Sequence, residues 1–215
     1  MANLDHLSIL NEGVEFWNSW RATKSDSLEF DLSNADLRRR NLEGIDFSDV
    51  NLSKSDLSDS NLESSNLSNA YLPDSYFEGV NLNYCNLSKS KCQGASFKQA
   101  KMHGVNLSWA NCYGANFFLT NLVLGDLKNT RLIECNFKGA TIKYSYFIGC
   151  ECDRTNMIGV TGNETVFMNC SLEDANFTKA DLTEAKFINC NLQLTKFVQA
   201  KIEDSIFQDC LIYGL

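Results

Sequence analysis

From Leu32 to Ile212 every fifth residue is Leu, Phe, Ile, Met or Cys, and only Gly162 departs from the series. A period of five matches neither the 3.6-residue helix nor the two-residue strand. A fixed period that fails both templates predicts a repeat architecture. The neighbouring columns are patterned too. Two residues before each large position lies a small side chain, as at Ala35, Ser55, Ala95, Ala115, Ala140 and Ala180. One before it is usually Asn or Asp, as at Asp36, Asn51, Asn81 and Asn106. Two after it Gly and Asn recur, and nine of the 12 glycines fall in that column. Type II turns need φ > 0 at their third residue, where Gly is unstrained and Asn tolerated. The pattern therefore predicts a turn every five residues and a square coil of 20 residues. Large and small side chains point inward, and successive coils hydrogen-bond at about 4.8 Å per step.

The motif Ala35-Asp36-Leu37-Arg38-Arg39, repeated as Ala180-Asp181-Leu182-Thr183-Glu184, resembles the A(D/N)LXX repeat of the pentapeptide repeat proteins. That resemblance implies an all-β solenoid, a right-handed quadrilateral β-helix. Over residues 30–215 it gives about nine coils and a rod roughly 45 Å long.

Sorting the central residues at 20-residue intervals separates two aromatic columns. One runs through Phe77, Phe97, Phe117, Phe137, Phe177 and Phe197; the other holds Phe47 and then Phe147, Phe167, Phe187 and Phe207. These predict two opposed ladders of rings with aliphatic side chains between them. At Gly162 either one face bulges or a neighbouring side chain fills the gap. Arg38, Arg39 and Arg40 lie among Asp31, Asp36 and Glu43, which favours a solvated corner over an anion site.

Before the repeats, residues 3–22 read as one helix. Asn3 can cap it, and Leu4, Leu7, Leu10, Val14 and Trp17 follow at helical spacing. A solenoid end exposes unpaired backbone and apolar core, so residues 1–29 are expected to be a capping helix and connector, with Phe16, Trp17 and Trp20 over the first coil. A partner-docking helix is the alternative. His6 is expected at the surface.

Composition narrows the function classes. No apolar run can span a bilayer, and residues 2–20 lack the basic start of a signal peptide, so a cytoplasmic protein is expected. Nine cysteines in such a compartment should stay thiols. Cys150, Cys170, Cys190 and Cys210 fall 20 residues apart in the small column, without the spacing of a metal site. With two His, no phosphate loop and no pocket expected in a smooth rod, the chain reads as no enzyme, with no cofactor and no metal.

Charge is segregated along the axis. Residues 1–80 hold 15 acids and 6 bases, residues 81–149 hold 2 and 8, and residues 150–215 hold 10 and 5. The basic middle also carries outward apolar residues: Trp109, Tyr113, Phe118, Leu119, Val123, Leu124 and Tyr144. Ile148, Met168 and Ile188 form a second outward column, and Ile212, Tyr213 and Leu215 lie at the last edge. Contiguous apolar patches mark interfaces, although the β-propensity of a sheet face would place the same residues there.

The expected function is a non-catalytic scaffold that presents a rigid surface to a protein partner, with a homodimer through the C-terminal edge as a further expectation. Neither nucleic acid nor membrane is expected as a partner. The segment Gly13-Val14-Glu15-Phe16-Trp17-Asn18-Ser19-Trp20-Arg21 is similar to the leading helix of bacterial family members, which implies a bacterial source. The family also includes quinolone-resistance proteins, which implies an alternative: a DNA-mimicking protein that binds DNA gyrase. Those relatives carry a C-terminal helix and often projecting loops, neither of which is expected here, and a basic middle suits a phosphate-binding groove poorly.

Overall fold

A computed structural model describes residues 2–24 and 29–213. The connector residues 25–28 and the edge residues Gly214 and Leu215 lie outside the described residues. From Asp31 onward the chain coils so that each outward residue of the Asn/Asp column forms a parallel β-bridge with the residue twenty positions on. Asp31 pairs with Asn51, Asp36 with Asp56, Asn41 with Asn61 and Asp46 with Asn66, and the four ladders continue in that register. Longer pairing develops on one side only. There β1 (Tyr146–Ile148), β2 (Val166–Met168), β3 (Lys186–Ile188) and β4 (Ile206–Gln208) form a parallel sheet in that order.

Turn chemistry sets the period. The Ala35 amide donates to the Leu32 carbonyl, closing a tight turn, and equivalent bonds recur along the chain. Every fifth residue from Asn34 to Asp209 has positive φ, including Tyr84, Trp109, Leu119, Leu124 and Leu194. The Asn/Asp column braces these turns: Asn51 Oδ1 accepts the Ser53 amide, and Asn81 Oδ1 the Asn83 amide. Such side-chain turns are what Asn and Asp supply in place of a backbone turn.

The centre is apolar and close-packed. Phe77, Phe97, Phe117 and Phe137 stack with centroids 5.1, 5.1 and 4.6 Å apart. Phe147, Phe167, Phe187 and Phe207 stack at 4.7, 4.8 and 4.8 Å. The expected aliphatic spacer between the ladders is absent in the later coils. Phe177 meets Phe187 edge-on at 5.8 Å, as does Phe197, because the rings reach across to the opposite ladder. Buried hydroxyls of the small column are satisfied: Ser60 Oγ donates to the Leu37 carbonyl, and Thr120 Oγ1 to that of Phe97.

At Gly162 the neighbours fill the gap and the backbone does not bulge. A Cβ placed there would lie 3.1 Å from Leu182 Cδ2 and 3.3 Å from Ile142 Cγ1. The Gly162 amide still donates to Asp181 at 2.7 Å, in register. Restoring the repeat with Gly162→Leu is therefore expected to overpack the core and destabilise the protein by about 1–3 kcal/mol. A lowered urea midpoint checks this; a raised one would mean that the core has room.

The N-terminal region differs from the single expected helix. It forms α1 (Leu4–Asn11) and α2 (Val14–Ala22), separated at Gly13, whose φ of 109° breaks the helical path. Asn3 caps α1 as expected, its Oδ1 accepting the amides of Asp5 and His6. Trp17 is fully buried, edge-on to Phe47, and its Nε1 donates to the Asp46 carbonyl at 2.8 Å. Leu4 and Phe16, by contrast, point into solvent. His6 is not at the surface. It is buried between Trp20 and Phe30, and its Nδ1 accepts the Asp31 amide at 3.1 Å. Arg38 pairs with Asp36 at a solvated corner, while Arg40 reaches back to donate to Asn11 Oδ1.

Candidate interaction surface

Outward positions are of two kinds, those on the bridge ladders and those at the turns between them. The turns at Phe118/Leu119 and Val123/Leu124 flank the ladder that runs through Lys101, Asn121 and Thr141. Leu119, Leu124 and Tyr144 are exposed, while Phe118 and Val123 are half-buried. The Leu124 amide donates to the Lys143 carbonyl in the next coil, which stacks Tyr144 beyond Leu124. These residues share one side of the rod.

Trp109 and Tyr113 do not join that patch. Trp109, 63% exposed, precedes the Asn111 ladder and Tyr113 follows it, so each lies at a different turn from Phe118 and Leu124. Tyr113 is engaged locally: its hydroxyl donates to Glu134 Oε2, and Arg131 stacks on its ring. The apolar middle is thus a belt around several sides, with one coherent patch on the Asn121 side.

Ile148, Met168 and Ile188 form the expected column, each the last residue of its strand and in register with the next. Beside them Tyr146, Val166, Lys186 and Ile206 occupy the first strand positions, and Tyr144, Glu164, Glu184 and Asp204 complete an open groove. Lys186 interrupts the apolar run. At the last coil Ile212 and Tyr213 are exposed; Ile202 and Phe207, which occupy core positions of the repeat, are uncovered with them.

The residue-by-residue reading missed the cations of the Asn121 side. Lys98 and Lys138 occupy the same turn column as Phe118, Lys143 that of Val123, and Lys101 bridges to Asn121. Residues 81–149 are basic along the axis, and the twenty-residue register places these four lysines on one side.

All nine cysteines are free thiols, eight of them buried and Cys210 partly exposed. Cys150, Cys170, Cys190 and Cys210 form the expected ladder, each thiol donating to a carbonyl one coil earlier. Burial pushes the Cys152 thiol up to about 11. Among the described residues no group of three His, Cys, Asp or Glu side chains is placed to hold a metal ion, and no helix is long and apolar enough to cross a membrane.

Two repeat profiles match this chain. One, described as pentapeptide repeats in eight copies, matches residues 31–69, 60–99, 81–117 and 110–143; a second, described as a pentapeptide repeat region, matches residues 160–214. The chain is a pentapeptide repeat protein. Solved structures of this family resemble it at low identity. HetL of Nostoc sp. strain PCC 7120, a pentapeptide repeat protein involved in heterocyst differentiation regulation, is 20% identical over 88% of this chain and 94% of its own, with a TM-score of 0.44. QnrB1, a plasmid-mediated fluoroquinolone resistance protein, is 16% identical over 73% of this chain and 85% of its own, with a TM-score of 0.44. A pentapeptide repeat protein of the Arabidopsis thaliana thylakoid lumen is 28% identical over 69% of this chain and 72% of its own, with a TM-score of 0.28. Membership in the family rests on the repeat profiles, not on these likenesses. Among curated proteins none matches the chain.

Proposed function

We propose that this pentapeptide repeat protein is a non-catalytic, cytoplasmic scaffold: a right-handed, four-sided rod of about nine coils, covered at its N-terminal end by α1 and α2, that docks a protein partner on its sides. The division is residues 1–29 as cover and connector and 30–215 as rod. The observation that carries the reading is the exposure of bulky apolar side chains at two neighbouring turns of the Asn121 side. Leu119 and Leu124 have φ of 55° and 60° and remain about half exposed. A left-handed conformation costs a β-carbon-bearing residue roughly 1–2 kcal/mol. Charged residues such as Arg39, Lys54 and Glu134 occupy other turns of the column at similar φ, so what sets Leu119 and Leu124 apart is the apolar surface they leave exposed. Ile148, Met168 and Ile188 form a second contact strip, and Trp109 and Tyr113 a separate one. Ile202, Phe207, Ile212 and Tyr213 support self-association through the C-terminal edge, which two-fold symmetry would close.

The test is affinity capture from source-cell lysate with the wild-type protein and with Phe118→Asp/Leu124→Asp, after both are confirmed folded by circular dichroism. The scaffold reading expects a protein held by the wild type and lost by the variant. Identical capture by both would remove the Asn121 side from the function. Inhibition of gyrase supercoiling by the wild type would replace the scaffold with the topoisomerase reading.

A further inference from the structure

The Asn121 side combines two features that together define a partner's chemistry. Its centre is apolar: Phe118 and Leu119 at one turn, Val123 and Leu124 at the next. Around that centre stand Lys98 and Lys138 one coil to either side of Phe118, with Lys101 on the ladder between the turns and Lys143 one coil beyond Val123. Among the described ion pairs none involves these four lysines, although other cations of the rod pair with carboxylates, as Lys128 does with Asp126 and Arg154 with Glu134. Those two acids are the only ones in residues 81–149, and both lie on other sides. The Asn121 ladder and its two turns therefore carry no carboxylate between Lys98 and Tyr144, and Asp126, on the next ladder, is paired with Lys128, in a chain whose net charge is −8.

Lys98 and Lys138 are two coils apart, roughly 10 Å along the axis, close to the Debye length of about 8 Å at physiological salt. Four unneutralised ammonium groups around an apolar centre leave the free surface electrostatically unfavourable, and an opposite charge on a partner relieves it. Apolar centre with polar rim is also how protein interfaces are built.

We propose that this side binds an acidic polypeptide segment whose carboxylates flank apolar side chains, the apolar groups seating on Phe118, Leu119, Val123 and Leu124 and the carboxylates on the four lysines. This rests on the scaffold reading and specifies the partner's chemistry. The observations favour a peptide over a nucleic acid or an anionic membrane. Glu78 lies one coil before Lys98 and Glu164 one coil beyond Tyr144, so a phosphate chain or headgroup layer larger than the patch meets carboxylates at both ends. The centre is also mainly aliphatic, whereas single-stranded nucleic acid prefers aromatic stacking platforms.

The experiment is selection of a random 12-residue peptide library on the purified full-length protein, followed by anisotropy titration of enriched peptides. The proposal expects enrichment of Asp and Glu next to Leu, Ile or Phe, affinity that falls as salt rises, and at least tenfold weaker binding to Lys101→Glu/Lys143→Glu. Phe118→Asp gives a second, independent loss. A control reversal elsewhere, Lys54→Glu, should change affinity less than twofold. Enriched peptides without acids, or peptides held equally by Lys101→Glu/Lys143→Glu, would overturn this inference and leave the scaffold reading standing. Failure to enrich any peptide would count against both. Equal or tighter binding of a single-stranded oligonucleotide, or a change in sedimentation on lysine reversal without peptide, would assign the side to nucleic acid or to a second copy and overturn the proposal.

Discussion

Phe187→Ala is expected to cost about 3–5 kcal/mol, the range for emptying a large aromatic site in a packed core. Phe187 stacks on Phe167 and Phe207 at 4.8 Å and meets Phe177 and Phe197 edge-on at 5.8 Å, so one truncation removes four ring contacts. Aromatic pairs contribute about 0.5–1.5 kcal/mol each beyond area burial, which places the loss in the upper part of the range. Because each repeat contacts only its neighbours, the effect should be local. The Asn189, Ile206 and Leu211 amides, which bond between the last coils, should exchange much faster, while those of Leu87 and Leu107 keep their protection. Phe187→Leu separates volume from stacking, since Leu occupies the same column at positions 67, 87, 107 and 127. It should recover most but not all of the loss. Hydrogen exchange read by mass spectrometry checks both variants. Uniform loss of protection along the whole chain would mean that the rod unfolds as one unit and that the neighbour-only account is wrong.

What the sequence made legible follows from how the repeat works. A turn of fixed length forces a fixed period, so the series from Leu32 to Ile212 reveals the inward column without any contact information, and the twenty-residue sort anticipates which rings stack. Contacts between distant segments left no such trace. His6 looked like a lone polar residue on a helix, but the groups that bury it, Phe30 and Asp31, lie 24 and 25 positions on. Gly13 sits inside an apolar spacing that continues unbroken from Leu10 through Val14 to Trp17, so periodicity was blind to the break. At the interaction surface, closeness in sequence misled. Tyr113 and Phe118 are five residues apart, yet every pentapeptide turns the chain to a new side. Lys98 and Lys138 are forty residues apart and flank the same Phe118. The twenty-residue register that aligns the core rings also aligns these charges on one side.

Trp17→Ala tests the proposed N-terminal cover, and its expected cost is again about 3–5 kcal/mol. Trp17 is the only fully buried aromatic of the described helical residues, and it bridges Trp20, Phe30 and Phe47 with centroids 5.6, 6.3 and 5.6 Å away. Removing it opens the apolar end of the first coil. The Asp46 carbonyl keeps its bond from Arg21 Nη1, so the loss comes mainly from packing. Arg21 should nevertheless weaken, because α2 holds it against the Phe30 ring at 4.4 Å. Uncovering the end of a solenoid exposes both unpaired backbone and core, so association should accompany the loss of stability. The variant is expected to sediment as larger species at concentrations where the wild type does not, and to lose exchange protection at Leu32, Leu37 and Asn51 before any later coil. Trp17→Phe should retain most of the stability, because a ring still fills the site while the indole bond is lost. If Trp17→Ala keeps wild-type sedimentation and wild-type protection at Leu32 and Leu37, α1 and α2 do not cover the rod, and their exposed Leu4 and Phe16 become the better guide to what the helices do.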